Sequence, residues 1–293
     1  MSSRNLLNLV LLGTVLALIV IIVIEPGKTP EPTNPRLTTL KQDEINHIFI
    51  QRNTGKDIEL EKINASWQMR KPYQLPANDF RMQSLLRLVE AESHSQNDLS
   101  KLDSKKFGLD KPRARITFNK QQTILFGNNE PLQQRRYVQT DNILHLIIDT
   151  FYYQLAARET TFIDHGLLAG KQDIVKLELP ELLIEFKDGK WQTTPKNENI
   201  SADAVTDLIN QWRNTQAIEM REAKKHTSKK TAKVYFKDQE QPMIFSILDS
   251  KDETTLIRND VGLEYVITID NLKKLLSLTA ASKDKAEDSS DSQ

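Results

Sequence analysis

Hydrophobic and polar positions divide this chain sharply. Leu6 to Ile24 reads LLNLVLLGTVLALIVIIVI, an uncharged run in which only Asn8 and Thr14 carry polar side chains. A helix rises about 1.5 Å per residue, so such a run is expected to cross a hydrocarbon core of about 30 Å. The run is longer than a signal-peptide core, and Glu25-Pro26-Gly27-Lys28 follows it without a small-x-small cleavage pattern. A retained membrane anchor over residues 6–24 is therefore expected, preceded by a short arm over residues 1–5 that carries Arg4. Such a short arm stays inside readily, whereas long domains translocate largely regardless of charge. The expected orientation is amino terminus in the cytoplasm and body outside. The chain has no cysteine, which permits an oxidising compartment without requiring one and leaves no residue for a lipid-modified cysteine anchor.

Beyond the anchor the pattern changes. Glu25 to Pro35 holds four prolines in eleven residues, and residues 25–42 are read as a stiff, extended spacer. Ile45, Ile48 and Ile50, then Ile58 and Leu60, alternate as two strands around Asn53-Thr54-Gly55. A third strand carries Trp67 and ends at Pro72. A helix opens at Asn78 or Asp79, with Phe80, Leu85, Leu86 and Val89 read as its apolar stripe. After the turn-rich connector Phe107 to Pro112 come strands at Ala114–Phe118, Thr123–Gly127, Arg136–Gln139 and Ile143–Ile147, and a short helix over Phe151–Ala157.

The order then starts again. Ile174, Leu177 and Leu179 echo the first strand, and Leu183–Phe186 precedes a tight turn at Asp188-Gly189. Trp191-Gln192 matches Trp67-Gln68, Pro195 matches Pro72, and a helix opens at Ala202-Asp203 with Val205, Leu208, Ile209 and Trp212 on one face. Ala232–Phe236 matches Ala114–Phe118, three further strands follow at Ile244–Leu248, Thr255–Arg258 and Glu264–Ile267, and a helix closes the series over Leu272–Leu278. The fold class expected is α+β: an amino-terminal transmembrane helix, then two tandem repeats of a mostly antiparallel sheet with covering helices, over residues 43–168 and 169–278. The polar stretch 279–293 is read as a disordered tail.

Composition narrows the function classes. The 293 residues include 40 basic and 40 acidic side chains, a balance that argues against a nucleic-acid partner. Only nine glycines are present, so phosphate-cradling loops are not expected. The five histidines, at 47, 94, 145, 165 and 226, have no metal-ligand spacing, and no nucleophile elbow occurs. His47 and His145 fall among apolar residues in strands and are read as edge or surface positions. Trp67, Trp191 and Trp212 have the chemistry of a sugar-stacking platform, but packing between sheet and helix explains them more simply. The basic clusters Lys101–Arg115 and Lys224–Lys233 are read as solvated loops. No catalytic residue, cofactor-binding residue or metal ligand is singled out, and a non-enzymatic role is expected.

The pattern Trp-Gln-x-x-x-Pro, Ala-Asn/Asp and a helix, then Phe107-Gly108-Leu109-Asp110-Lys111-Pro112, a strand and Tyr137-Val138 resembles the family called domain of unknown function 4340. The resemblance covers roughly Asp43 to Leu278, read as two tandem copies. The second copy has Glu222-Ala223-Lys224-Lys225-His226 in place of the connector and is the more divergent. The resemblance implies a bacterial envelope protein with one amino-terminal span, similar to accessory components encoded with ABC transporters, including those linked to gliding motility. It implies no catalytic residues. The expected partners are the bilayer, through residues 6–24, and an envelope or transporter protein. The alternative is a glycan- or ligand-binding module using the cleft between the repeats.

Overall fold

A computed structural model describes residues 3–24, 34–170, 173–196, 201–225, 228–250 and 253–278. Most of the expected spacer (25–33), the tail (279–293), residues 1–2 and His226 lie outside the described residues.

Helix α1 spans Ser3–Ile24. Its described side chains are exposed, among them Leu7, Leu9, Val10, Leu11, Leu12, Leu16, Leu18 and Ile19. Among the described residues no helix is long and apolar enough to cross a membrane.

The body is α+β, built of two antiparallel sheets and a few helices. The first sheet uses β1 (His47–Arg52), β2 (Ile58–Ile63), β3 (Ser66–Lys71), β4 (Leu75–Pro76), β5 (Ser95–Asp98), β6 (Ala114–Phe118), β7 (Gln122–Glu130), β8 (Arg135–Thr140) and β9 (Ile143–Ile148). Its order is β4-β3-β2-β1-β6-β7-β8-β9-β5. The second uses β10 (Ile174–Glu178), β11 (Leu183–Lys187), β12 (Lys190–Thr194), β13 (Glu219–Glu222), β14 (Thr231–Phe236), β15 (Met243–Asp249), β16 (Thr254–Arg258) and β17 (Leu263–Ile267). Its order, β12-β11-β10-β14-β15-β16-β17-β13, is that of the first sheet with β4 left out. In both, the strand that follows the helix pairs with the last strand of the meander: β5 with β9 and β13 with β17.

Local chemistry explains the elements. Asp188 and Gly189 both take positive φ, 52° and 76°, the pair of angles that a two-residue hairpin needs between β11 and β12. Helix α4 (Ala202–Asn214) is capped by Ser201, whose Oγ accepts from the Ala204 N–H at 3.1 Å. Its Val205, Leu208, Ile209 and Trp212 are all buried, and the Trp212 indole N–H donates to Leu275 O of α5 (Ile269–Leu276) at 2.9 Å. Helix α2 (Asp79–Leu86) is capped by Asn78, which accepts from the Arg81 N–H at 3.0 Å. Of the predicted stripe, Leu85 and Val89 are buried and Leu86 packs against the core, but Phe80 is not part of the buried face. Met82 and Leu85 point inward, whereas Phe80 lies in the first turn facing solvent, 72% exposed. The helix tightens into a 3-10 turn at Arg87–Glu90, which carries Val89 into the core.

Residues 34–42, read as spacer, contribute to the body. Leu37 is buried, its N–H donates to Ala91 O at 2.7 Å, and Arg36 bridges Glu92. The same arrangement recurs ahead of the second sheet, where the Leu167 N–H donates to Thr215 O at 3.1 Å and the Ala217 N–H to His165 O at 2.9 Å. One continuous hydrophobic core runs from Leu37 to Leu275 through both sheets. At the junction Ile163 pairs with Ala77, Arg158 meets Glu219 at 2.8 Å and Lys56 meets Glu222 at 2.9 Å. The last two pairs are largely solvated and contribute little, on the order of 0–1 kcal/mol each.

Candidate functional site

The buried polar groups are the places in the body where chemistry could be concentrated. His145 is buried, not at an edge, because the polar strand β5 covers β9. Its Nδ1 lies 3.0 Å from Ser93 Oγ and its Nε2 lies 2.8 Å from Thr140 Oγ1. Ser93 spends its own proton on Ser95 O at 2.8 Å, so it accepts from His145 Nδ1–H, and Nε2 accepts from Thr140. Burial pushes the His145 pKa down, opposed only in part by the Asp141 charge. His47 is also buried, in the central strand β1, and its Nε2 lies 3.0 Å from Glu59 on β2. The His47 hydrogen bond, seconded by one from Lys71, holds the Glu59 carboxyl below the usual range. His145 has both ring nitrogens engaged by hydroxyl groups at the edge of a recess beside Ile143, and it is read as structural. His47 is held by Glu59 through Nε2, while its buried Nδ1 has no hydrogen-bond partner among the described residues.

Two charged clusters are similarly self-contained. Arg136 and Asp149 are both buried. Arg136 Nε and Nη2 donate to the two Asp149 oxygens, the second at 2.9 Å, and Nη1 donates to Gly127 O at 2.6 Å. Asn129 donates to Asp149 Oδ2 at 3.0 Å, and the guanidinium carbon sits 3.7 Å from the ring centre of Tyr152 on α3 (Thr150–Leu155). In the second sheet Arg221 donates to Glu264 at 2.7 Å and to both oxygens of Glu253. The Arg221 hydrogen bonds hold the Glu253 carboxyl low and push the guanidinium pKa further up. These pairs fasten neighbouring strands. Among the described residues, no group of three or more His, Asp or Glu is placed to hold a metal ion.

The connector Phe107–Pro112 folds back over β7. Gly108 adopts φ +68°, and the Leu109 side chain packs with Leu99 and Leu144. Gly127 allows this approach, since a Cβ there would stand 2.2 Å from Phe107 O. The connector ends beside a basic recess of about 510 Å³ lined by Gln51, Arg52, Asn53, Lys111, Pro112 and Arg115. Arg52 in its lining is held by Ala157 O and Lys56 O, to which it donates, and by Glu159 at 3.4 Å, while its buried Nε has no hydrogen-bond partner among the described residues.

A second recess, of about 700 Å³, opens between the β11–β12 hairpin and the first turn of α4. It exposes an aromatic pair, Phe186 and Trp191, with ring centres 5.1 Å apart at 64°. Packing accounts for Trp67 and Trp212, both buried, but only in part for Trp191, which is half-buried. Reading the three tryptophans from the sequence as equivalent packing residues missed this difference. The signal was present in Phe186, a large apolar side chain two residues from an Asp-Gly turn. Two further recesses, of about 540 Å³ each, lie within the first sheet, beside Tyr153 and beside Ile143.

The chain matches the family described as Domain of unknown function (DUF4340) over residues 67–247. It belongs to that family. The match is one stretch, running from the third strand of the first sheet into the second sheet, and does not count a separate copy for each sheet. Comparison with curated proteins and with solved structures gave no match.

Proposed function

We propose that this member of the family is a single-pass bacterial envelope protein, non-enzymatic, whose body docks on another protein. Residues 6–24 anchor it in the inner membrane with the amino terminus in the cytoplasm and the body in the periplasm. The body is two tandem copies of one α+β unit, a reading supported by the matching strand orders. The observation that carries the anchor is the unbroken apolar run Leu6–Ile24 together with the exposed leucine, valine and isoleucine side chains of α1. Water does not tolerate such a surface, whereas a bilayer accepts it and a helix satisfies its own backbone there. Anchoring raises the local concentration of the body at the membrane, which favours a membrane partner of modest affinity. The family resemblance makes an ABC-type transporter complex the partner of choice.

The test is a pull-down of the full-length protein from membranes, beside a version whose residues 6–24 are replaced by an unrelated span. The same envelope or transporter protein should come down in stoichiometric amount with both. Recovery of none with either sinks the docking role, and release of the native protein from membranes by carbonate sinks the anchor. Ligand binding is the alternative function. The observation favouring it is the open recess beside Trp191, which lies inside the second unit and not in a cleft between the two.

A further inference from the structure

The recess at Trp191 is best understood against the same place in the first sheet. Trp67 on β3 stands opposite Lys62 on β2, and Trp191 on β12 stands opposite Phe186 on β11. In the first sheet the position is closed. Leu75 on β4 pairs with Met69, the Ala77 N–H donates to Trp67 O at 2.9 Å, and Trp67, Met69, Tyr73 and Leu75 are all buried. Pro72 and Pro195 each stand six residues before the helix cap, Asn78 or Ser201. Across that interval the second unit has Lys196 for Tyr73 and Glu198 for Leu75, so it lacks the two large side chains that are buried there in the first. It also carries an aromatic ring where the first unit has a lysine. Phe186 is 47% exposed beside a half-buried Trp191. Trp191 packs in part against the core, but leaving the Phe186 ring and the outer part of Trp191 in solvent costs solvation free energy, which marks a contact surface.

We propose that this recess is a carbohydrate-binding site, with Trp191 and Phe186 as its stacking surface. Aromatic rings offer a flat apolar face with a negative quadrupole, complementary to the axial C–H face of a pyranose. The remaining lining suits hydroxyl groups. Gln192 and Thr193 supply an amide and a hydroxyl, Lys190 supplies an ammonium donor, and Val205 forms the floor. The Thr206 hydroxyl spends its proton on Ala202 O at 3.0 Å and keeps its lone pairs for an acceptor role. Among the described residues no lining residue is a carboxylate, so acidic sugars are tested alongside neutral ones. A volume of about 700 Å³ is that of a small-molecule site, and the recess is bounded by α4 on one side and the hairpin on the other. A protein partner would instead need a face of about 800 Å².

The experiment uses the full-length protein in lipid nanodiscs, which avoids sugar-based detergents. Tryptophan fluorescence is followed during titration with maltotriose, cellotriose, chitotriose and a uronic-acid trisaccharide. At least one should give a saturable change, because Trp191 is the most exposed of the three tryptophans. Phe186→Lys installs the residue of the first sheet at an exposed position, so the fold should survive. It should weaken binding by about tenfold or more with an unchanged unfolding temperature. A second variant, Thr206→Val, should weaken binding to a smaller extent. Absence of any saturable change up to about 10 mM of each sugar overturns the proposal, as does binding that Phe186→Lys leaves intact.

Discussion

Replacing Asp149 by Ala should destabilise the body by about 3–5 kcal/mol, because it strands a buried guanidinium. The side chains of Arg136 and Asp149 are only 3% and 5% exposed. Without the carboxylate, Arg136 keeps Gly127 O at 2.6 Å and the Tyr152 ring at 3.7 Å, but loses both charge-assisted bonds that offset its desolvation. Arg136→Met should cost a similar amount, since Asp149 would then keep only Asn129. The double variant removes both charges and leaves just two unpaired neutral groups, Asn129 and Gly127 O, each worth about 1–3 kcal/mol. Its cost should therefore fall clearly below the sum of the singles. For a body of this size, about 2–4 °C is lost per kcal/mol, so each single variant should melt about 6–20 °C early. Denaturant titration and calorimetry of wild type, both singles and the double form the cycle. A single-variant loss under about 1 kcal/mol, the value of an exposed pair, would refute the reasoning, as would costs that simply add.

His145 gives a pH dependence with a definite sign. Burial lowers its folded pKa, so the unfolded chain binds the proton more readily. Stability should be complete above the unfolded value of about 6.5 and fall as the pH drops below it. His145→Gln should flatten the slope of stability between about pH 6.5 and 5 by up to about 1.4 kcal/mol per pH unit; an unchanged slope in denaturant titrations would contradict the buried neutral ring. Gly127→Ala should push the Phe107–Gly108 backbone off β7 and cost about 1–3 kcal/mol. Hydrogen exchange would show it as faster exchange at Leu109, whose N–H donates to Ser104 O, and normal protection there would count against the close approach.

Much of the fold was legible because burial left a periodic trace. The hairpin β1–β2, the Asp188-Gly189 turn, the cap and stripe of α4 and the α+β class follow from alternation, turn chemistry and 3.6-residue spacing, which are properties of short segments. The family was legible too, in the Trp-Gln pattern and the Phe107–Pro112 connector, although one match spans both sheets where two copies were expected. The strands β5 and β13 were not legible. Ser95–Asp98 is wholly polar and exposed, and Glu219–Glu222 carries one buried side chain. What makes them strands is the open edges of β9 and β17, whose unpaired N–H and C=O groups recruit whatever backbone the preceding helix delivers. His145 was placed at an edge for that reason, and Phe80 was assigned inward because helical spacing alone does not say which residue begins the turn. The recess at Trp191 was beyond sequence for a related reason. Trp67 and Trp191 share the following glutamine and a nearby proline, and the residues that differ around them do not by themselves say which ring is covered; only the tertiary structure decides that Trp67 is buried while Trp191 borders an open recess.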